Sequence, residues 1–245
     1  MTTNYDPIAE KYQRSKQQPW RTHIEAYRLL QLIGDVSGQS VLDVACGEGF
    51  YTRLLHGQGA SRVTGVDLSA GMIELARRQE DRYKQGIEYL VGDARELCPS
   101  DKYELVVAAY LLNYARSPSE LQSMCSGIAR CLKPGGRFVT VNGSPSLHFP
   151  SAPSYRRYGF ETRVIGDWKE GAPITWTFHL ADGSFEIENY HLNRASHEKA
   201  FLDAGFREIR WHDPELSPDG QVAGEPEYWS PFLTHSPIVF IECIV

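Results

Sequence analysis

Between Ser40 and Leu55 the chain reads SVLDVACGEGFYTRLL. An apolar run, Ser40–Val44, enters a turn holding Gly47 and Gly49, and a helical pattern begins at Phe50. No other stretch restricts the fold as much. A run with no wet face belongs to a strand covered on both sides, as in sheets whose crossovers are helices. The pattern then repeats. Arg62–Val66 reads as a second strand ending at Asp67, and Ser69 caps a helix, AGMIELARRQEDRY. Ile87–Val91 is a third strand, followed by Gly92-Asp93; Tyr103–Ala109 is a fourth. Pro118–Leu132 is a helix, and KPGG turns into the strand Arg137–Asn142. Regular alternation of this kind predicts an α/β fold with a Rossmann-like, mostly parallel, doubly wound sheet.

The rhythm breaks after Gly143. The segment 144–170 is rich in Pro, Ser and aromatic residues. ITWTFHLADGSFEIENYHLN then alternates apolar and polar around Asp182-Gly183, which predicts a hairpin with Trp176, Phe178 and Leu180 on one face. A helix over Ser196–Ala204, a strand over Phe206–Trp211 and a last strand over Pro237–Val245 follow. At the other end, Asp6-Pro7 reads as a helix start, and a second helix runs from Trp20 to Leu32 and stops near Gly34. The 245 residues suit one domain. Its parts are lid helices (1–33), a ligand-binding core (40–143), an inserted aromatic-rich hairpin cap (144–195) and the last core strands (196–245).

The glycine turn selects a ligand. A dinucleotide site wants G-x-G-x-x-G, and the third glycine is missing here. No Gly-Lys-Ser/Thr follows, so a P-loop is excluded. An acidic residue, Asp43, with Gly47 and Gly49 suits a ligand that carries positive charge and no phosphate, although Asp43 could instead cap the next helix. Asp67 is placed to take both hydroxyls of a ribose, or to pair with an arginine. Asp93 is placed to take an adenine amino group, or to shape a turn.

VLDVACGEG, VTGVDLS, VGDARE and LKPGGRFV resemble the successive motifs of the class I S-adenosylmethionine-dependent methyltransferases. The resemblance covers roughly Ser40 to Val141, and departs from the common form at Ala45, where glycine is usual. It implies a seven-stranded sheet with an antiparallel last strand, S-adenosylmethionine as cofactor, S-adenosylhomocysteine as product, and no metal. It assigns Ala45 and Gly47 to the amino-acid portion of the cofactor, Asp67 to the ribose, Leu68 and Met72 to the adenosine, and Asp93 and Ala94 to the adenine. Tyr110 would face the methionine part; Met72 has plain core packing as its alternative. The N-terminal NYDPIAEKYQRSKQQPWR resembles a lid of the same family, with Tyr5, Tyr12, Trp20 and Arg21 as its candidates. Arg21 would hold the cofactor carboxylate by a charge-assisted pair.

The acceptor is narrowed by absences. AAYLLNYA stands where nucleobase amino-methyltransferases carry Asn/Asp-Pro-Pro-aromatic, no Pro-Cys pair marks a cytosine enzyme, and Asn113 has no Asp beside it for a catechol-type metal site. The net charge is −6 and no Lys/Arg run occurs, which argues against a nucleic-acid partner. A small molecule remains. Trp20, Leu111, Asn113, His148, Tyr155, Trp176 and Trp229 are its candidate contacts, with flat rings suited to a planar heteroaromatic and packing as their alternative. His148 is the candidate base, although an acidic nucleophile needs only placement. The chain as a whole resembles the N-methyltransferases of toxoflavin biosynthesis, which act on ring nitrogens of an azapteridine precursor. O- or C-methylation of another natural product is the alternative; cofactor binding without transfer, or nicotinamide chemistry, are further rivals. Five cysteines without a CxxC pair suit a reducing compartment. The first residues lack the apolar core of a signal peptide, and no run of ~18 apolar residues predicts a membrane span. A cytoplasmic location is therefore expected. Monomer and homodimer stay open.

Overall fold

The computed structural model describes residues 8–97, 102–223 and 226–245. In chain order its elements are α1 (Ala9–Ser15), α2 (Tyr27–Ile33), β1 (Ser40–Val44), α3 (Phe50–Gly57), β2 (Arg62–Asp67), α4 (Ala70–Tyr83), β3 (Glu88–Val91), β4 (Tyr103–Ala109), α5 (Pro118–Cys131) and β5 (Leu132–Gly143). Then follow β6 (Phe160–Val164), β7 (Pro173–Leu180), β8 (Gly183–Tyr190), α6 (Arg194–Asp203), β9 (Glu208–His212), α7 (Pro218–Ala223), α8 (Pro226–Thr234) and β10 (Ile238–Ile244). The main sheet has seven strands in the order β3-β2-β1-β4-β5-β10-β9. β1 to β5 are parallel, and β10 runs antiparallel to both β5 and β9. The doubly wound sheet with its antiparallel last strand is thus the one expected. β1 is buried along nearly its whole length, as a central strand covered on both faces must be.

Two details depart from the sequence reading. The inserted hairpin has a third strand: β6 pairs with β7, making a separate antiparallel sheet β6-β7-β8. Phe-Glu-Thr-Arg-Val carries too little alternation to be seen as a strand until β7 supplies its partner. Within β7, Ile174, Trp176 and Phe178 point into the core and Thr175, Thr177 and His179 outward. The second helix begins with a π-helical stretch, Arg21–Ala26, before it becomes α2. That wider turn buries both Arg21 and Glu25, and such turns favour functional positions. The helix start at Asp6-Pro7 lies outside the described residues.

The aromatic residues of the cap are packed against one another. Tyr155 stacks on Phe160 (ring centroids 5.2 Å apart), Phe160 on Trp176 (5.5 Å), Tyr158 on Trp229 (5.6 Å), and Trp20 lies against Phe160 (5.1 Å) and Phe232 (5.7 Å). Each pair contributes roughly 0.5–1.5 kcal/mol beyond the area it buries. α1 docks on this sheet: Arg14 pairs with Asp182 at 2.7 Å, and just beyond the helix Gln18 Nε2 donates to the Gly159 carbonyl at 2.8 Å.

Candidate active site

A cavity of about 670 Å³ opens at the carboxyl ends of β1, β2 and β4, the side of an open α/β sheet where ligands bind. Backbone turns shape one side of it. After β1 the chain takes left-handed conformations at Ala45 (φ 58°), Gly47 (φ 57°) and Gly49 (φ 85°). Glycine is needed at 49: a Cβ there would lie 2.4 Å from the Tyr89 hydroxyl. Ala45 holds the same kind of angle with a side chain, at a cost of roughly 1–2 kcal/mol.

Asp67 closes β2, and its two oxygens accept the backbone N–H groups of Gly47 and Ser69, each at 2.8 Å. These bonds fix the carboxylate at the cavity wall, and since each oxygen accepts more than one hydrogen bond, a ribose diol can join them. Ser69 caps α4 through Met72 N at 3.1 Å. Asp93 lies beyond β3, with Arg95 Nε at 2.9 and 3.0 Å from its oxygens. The hydrogen bond from Arg95 holds this carboxyl below the usual range. Behind the loop, Gly127 of α5 packs so closely that a Cβ there would lie 1.9 Å from the Ala94 carbonyl oxygen. Asp43 sits beneath the turn, 1% exposed, and accepts the Thr52 hydroxyl at 2.6 Å. Burial raises its carboxyl to about 7; the Thr52 bond opposes this and the Asp67 charge adds to it.

Above the cavity lies a buried ionic cluster. Glu25, 0% exposed, accepts Arg21 Nη1 at 2.7 Å, Tyr51 Oη at 2.7 Å, Tyr110 Oη at 2.6 Å and Lys16 Nζ at 3.3 Å. Burial alone would raise the Glu25 carboxyl, yet Arg21, then Lys16, and the two phenol hydrogen bonds hold it at about 2. Burial and the Glu25 charge push the phenols of Tyr51 and Tyr110 well above their ordinary value, so neither serves as a base. Tyr110 has φ 66°, strain at the end of β4 that turns its ring toward this cluster.

Of the residues singled out from sequence, Tyr12, Ala45, Gly47, Asp67, Leu68, Met72, Asp93, Ala94, Tyr110 and Leu111 line the cavity together. Others stand elsewhere. Tyr5 is outside the described residues. Arg21 is behind the wall, its guanidinium 5.7 and 5.6 Å from the Tyr12 and Tyr110 rings, with Nε unpaired. Trp20, Tyr155 and Trp229 are spent on ring packing, as above; Tyr155 also donates to the His235 carbonyl at 2.5 Å and Trp229 Nε1 to the Gly220 carbonyl at 3.2 Å. His148 is exposed, within 2.7 Å of the Ser151 hydroxyl, and is not on the wall of this cavity. Asn113 and Trp176 meet in a second, small chamber. The sequence reading missed Arg95, Tyr114, Arg116, Glu120 and Met124 on the cavity wall. Glu120 and Met124 stand four apart at the start of a helix that follows a core strand, a signal that could have found them. It also missed Glu25, whose one local sign is its spacing of four from Arg21.

Among the described residues no group of His, Cys, Asp and Glu could hold a metal, and no helix is long and apolar enough to cross a membrane.

A methyltransferase-domain model matches residues 41–136. The demethylmenaquinone methyltransferase of Symbiobacterium thermophilum is 30% identical over 235 residues, covering 90% of this chain and 86% of that protein. The S-adenosylmethionine-dependent methyltransferase from Mesorhizobium loti superposes with a TM-score of 0.65 at 21% identity, over 94% of this chain and all of the other (100%). An amino pentose methyltransferase from Micromonospora echinaspora, solved with S-adenosylmethionine bound, does so with a TM-score of 0.60 at 18% identity, over 97% of each chain.

Proposed function

We propose that this chain, which belongs to the class I S-adenosylmethionine-dependent methyltransferases, methylates a ring nitrogen of a planar heteroaromatic small molecule, such as an azapteridine. The cofactor supplies an electrophilic methyl group on a sulfonium. Gly47 and Ala45 would give its amino-acid portion close backbone approach, Asp67 its ribose two acceptors, and Asp93 with Ala94 its adenine an edge. Lys16 and Arg21 outnumber Glu25 by one positive charge in a buried cluster beside Tyr12 and Tyr110, which suits an anionic end nearby.

One observation carries the acceptor class: the cavity wall holds no group suited to act as a strong base. Among the described residues it has no histidine, and its carboxylates are engaged, Asp67 by backbone N–H groups, Asp93 by Arg95, and Glu120 by the Arg116 backbone N–H at 2.9 Å. Transfer by placement alone requires an acceptor that ionises readily by itself. A ring N–H between electron-withdrawing groups does so; an unactivated alcohol does not. The chain's part is to orient the ring, exclude water and hold the charges of the roof.

The 30% identity to a demethylmenaquinone methyltransferase favours a second reading, carbon methylation of a hydroquinone ring. The experiment supplies S-adenosylmethionine with a pteridine-2,4-dione in one reaction and demethylmenaquinol in another, and locates the new methyl by NMR. Methyl on nitrogen is expected. Methyl on ring carbon of the quinol alone would replace the first reading with the second.

A further inference from the structure

The second chamber, about 20 Å³, lies between the segment after β4, the end of β5 and the inserted sheet. Asn113 is 6% exposed, and neither its Oδ1 nor its Nδ2 has a hydrogen-bond partner. Trp176 is 4% exposed, and its Nε1 is likewise unpartnered. Both line the chamber. Each buried polar group left unpaired costs roughly 1–3 kcal/mol, so this fold keeps a penalty that a ligand would remove. The chamber is also neutral. No Lys, Arg, Asp or Glu lines it, and burial lowers the pKa of both its histidines, His191 and His197.

We propose that Asn113 and Trp176 read the polar edge of the acceptor, and that this edge is a ring N–H beside a ring carbonyl, as in a cyclic amide or imide. The inference rests on the methyltransferase reading above and deepens it. A carboxamide offers a donor and an acceptor in one plane, and an N–H/C=O edge returns the complementary pair in two parallel bonds. The Trp176 indole donates only, so it takes a second carbonyl. A hydroquinone edge carries one oxygen at that place and satisfies one half of the amide; a carboxylate or phosphate would find no charge. At its present volume the chamber admits a group the size of a water molecule, so it takes the rim of a ring rather than the whole of it. Leu111 and Tyr114 line the first cavity and Asn113, between them in sequence, lines the chamber, which puts the two spaces on either side of one short turn.

The test uses the full chain loaded with S-adenosylhomocysteine and titrated with pteridine-2,4-dione, then with 1,4-naphthohydroquinone. Asn113→Asp and Trp176→Phe each keep shape and remove a donor. Each is expected to weaken the dione about tenfold or more, with S-adenosylhomocysteine affinity unchanged and the hydroquinone weakened less. Asn113→Leu, which removes both unpaired atoms, is expected to abolish dione binding while leaving the melting temperature level or higher. Equal dione affinity in wild type and variants overturns the proposal, as does no dione binding to the loaded wild type or a hydroquinone that weakens in parallel. If the variants still methylate the dione on nitrogen as fast as wild type, the edge assignment falls and the function stands. Should the wild type fail to bind S-adenosylhomocysteine at all, the function itself falls.

Discussion

The wall of the candidate cavity and its roof are built on opposite principles. One side of the wall is shaped by backbone: three left-handed residues after β1, N–H groups aimed at Asp67, and α5 packed at Gly127 against the Ala94 carbonyl. Small residues such as Ala45, Gly47, Ser69, Ala70 and Gly92 lie beside these turns, with larger side chains such as Met72 and Tyr114 around them. The roof and cap are side chain: a carboxylate held by Arg21, Lys16 and two tyrosines, above a sheet whose rings stack in series. A wall of this kind survives changes of side chain but not of backbone angle. A roof of this kind depends on each group having its partner. Substitutions should therefore separate the two by what they damage, binding at the wall and stability at the roof.

The largest effect belongs to the roof. Glu25→Ala leaves Arg21 and Lys16 buried without a counter-charge, which costs about 3–5 kcal/mol and should show as a lower denaturant midpoint. A loss below about 1 kcal/mol would mean the cluster is solvated, and the contrast with the wall would fail. Asp67→Ala comes next and should divide the other way. S-adenosylhomocysteine affinity falls by roughly 1.5–3 kcal/mol, the worth of charged hydrogen bonds, with a smaller change in melting temperature. Calorimetric titration that found affinity intact would remove Asp67 from the ribose.

Asp43 joins the two regions, since it is a buried side chain beneath the backbone turn. Its folded pKa of about 7 stands above its ordinary value of 3.8. Between those values the folded protein keeps a proton the unfolded chain has released, so this group makes stability fall as pH rises from about 4 to about 7. Below 4 both states are protonated, and above 7 both are ionised, so the contribution is flat outside the window. In Asp43→Asn that slope should vanish, and the stability difference between variant and wild type should change by at least about 1.4 kcal/mol across it. Parallel pH profiles for the two proteins would show Asp43 ionised throughout.

How much of this was legible in the sequence follows the same division. The succession of the first five strands along the chain, Asp67 at the end of β2 and the glycine turn at Gly47 and Gly49 were readable because each is encoded within about ten residues. The roof was not. Tyr110 reaches Glu25 across 85 positions and Tyr51 across 26, and nothing local to Glu25 says that it is buried. Tyr155 and Trp229 were read as acceptor contacts because aromatic composition looks the same whether rings enclose a ligand or one another. Only the position of β6, itself invisible without β7, decides that they stack on the fold. Asn113 and Trp176, 63 positions apart by number, were both named from sequence; their shared chamber was not.

The smallest effect tests the wall in its purest form. Ala45 carries a side chain at φ 58°, and Ala45→Gly removes a strain of roughly 1–2 kcal/mol while adding about 0.5–1 kcal/mol of unfolded-chain entropy. The net expectation is a gain of about 0.5–1 kcal/mol in stability, with S-adenosylhomocysteine affinity unchanged, because the wall works through backbone angle and the methyl adds little. The alternative is specific: Ala45 lines the cavity, so its methyl could itself touch the ligand. In that case the glycine variant would be more stable yet bind less tightly. Thermal melting with and without S-adenosylhomocysteine separates the two, since equal ligand-induced shifts in both proteins mean that a side chain at this position is a tolerated burden rather than a contact.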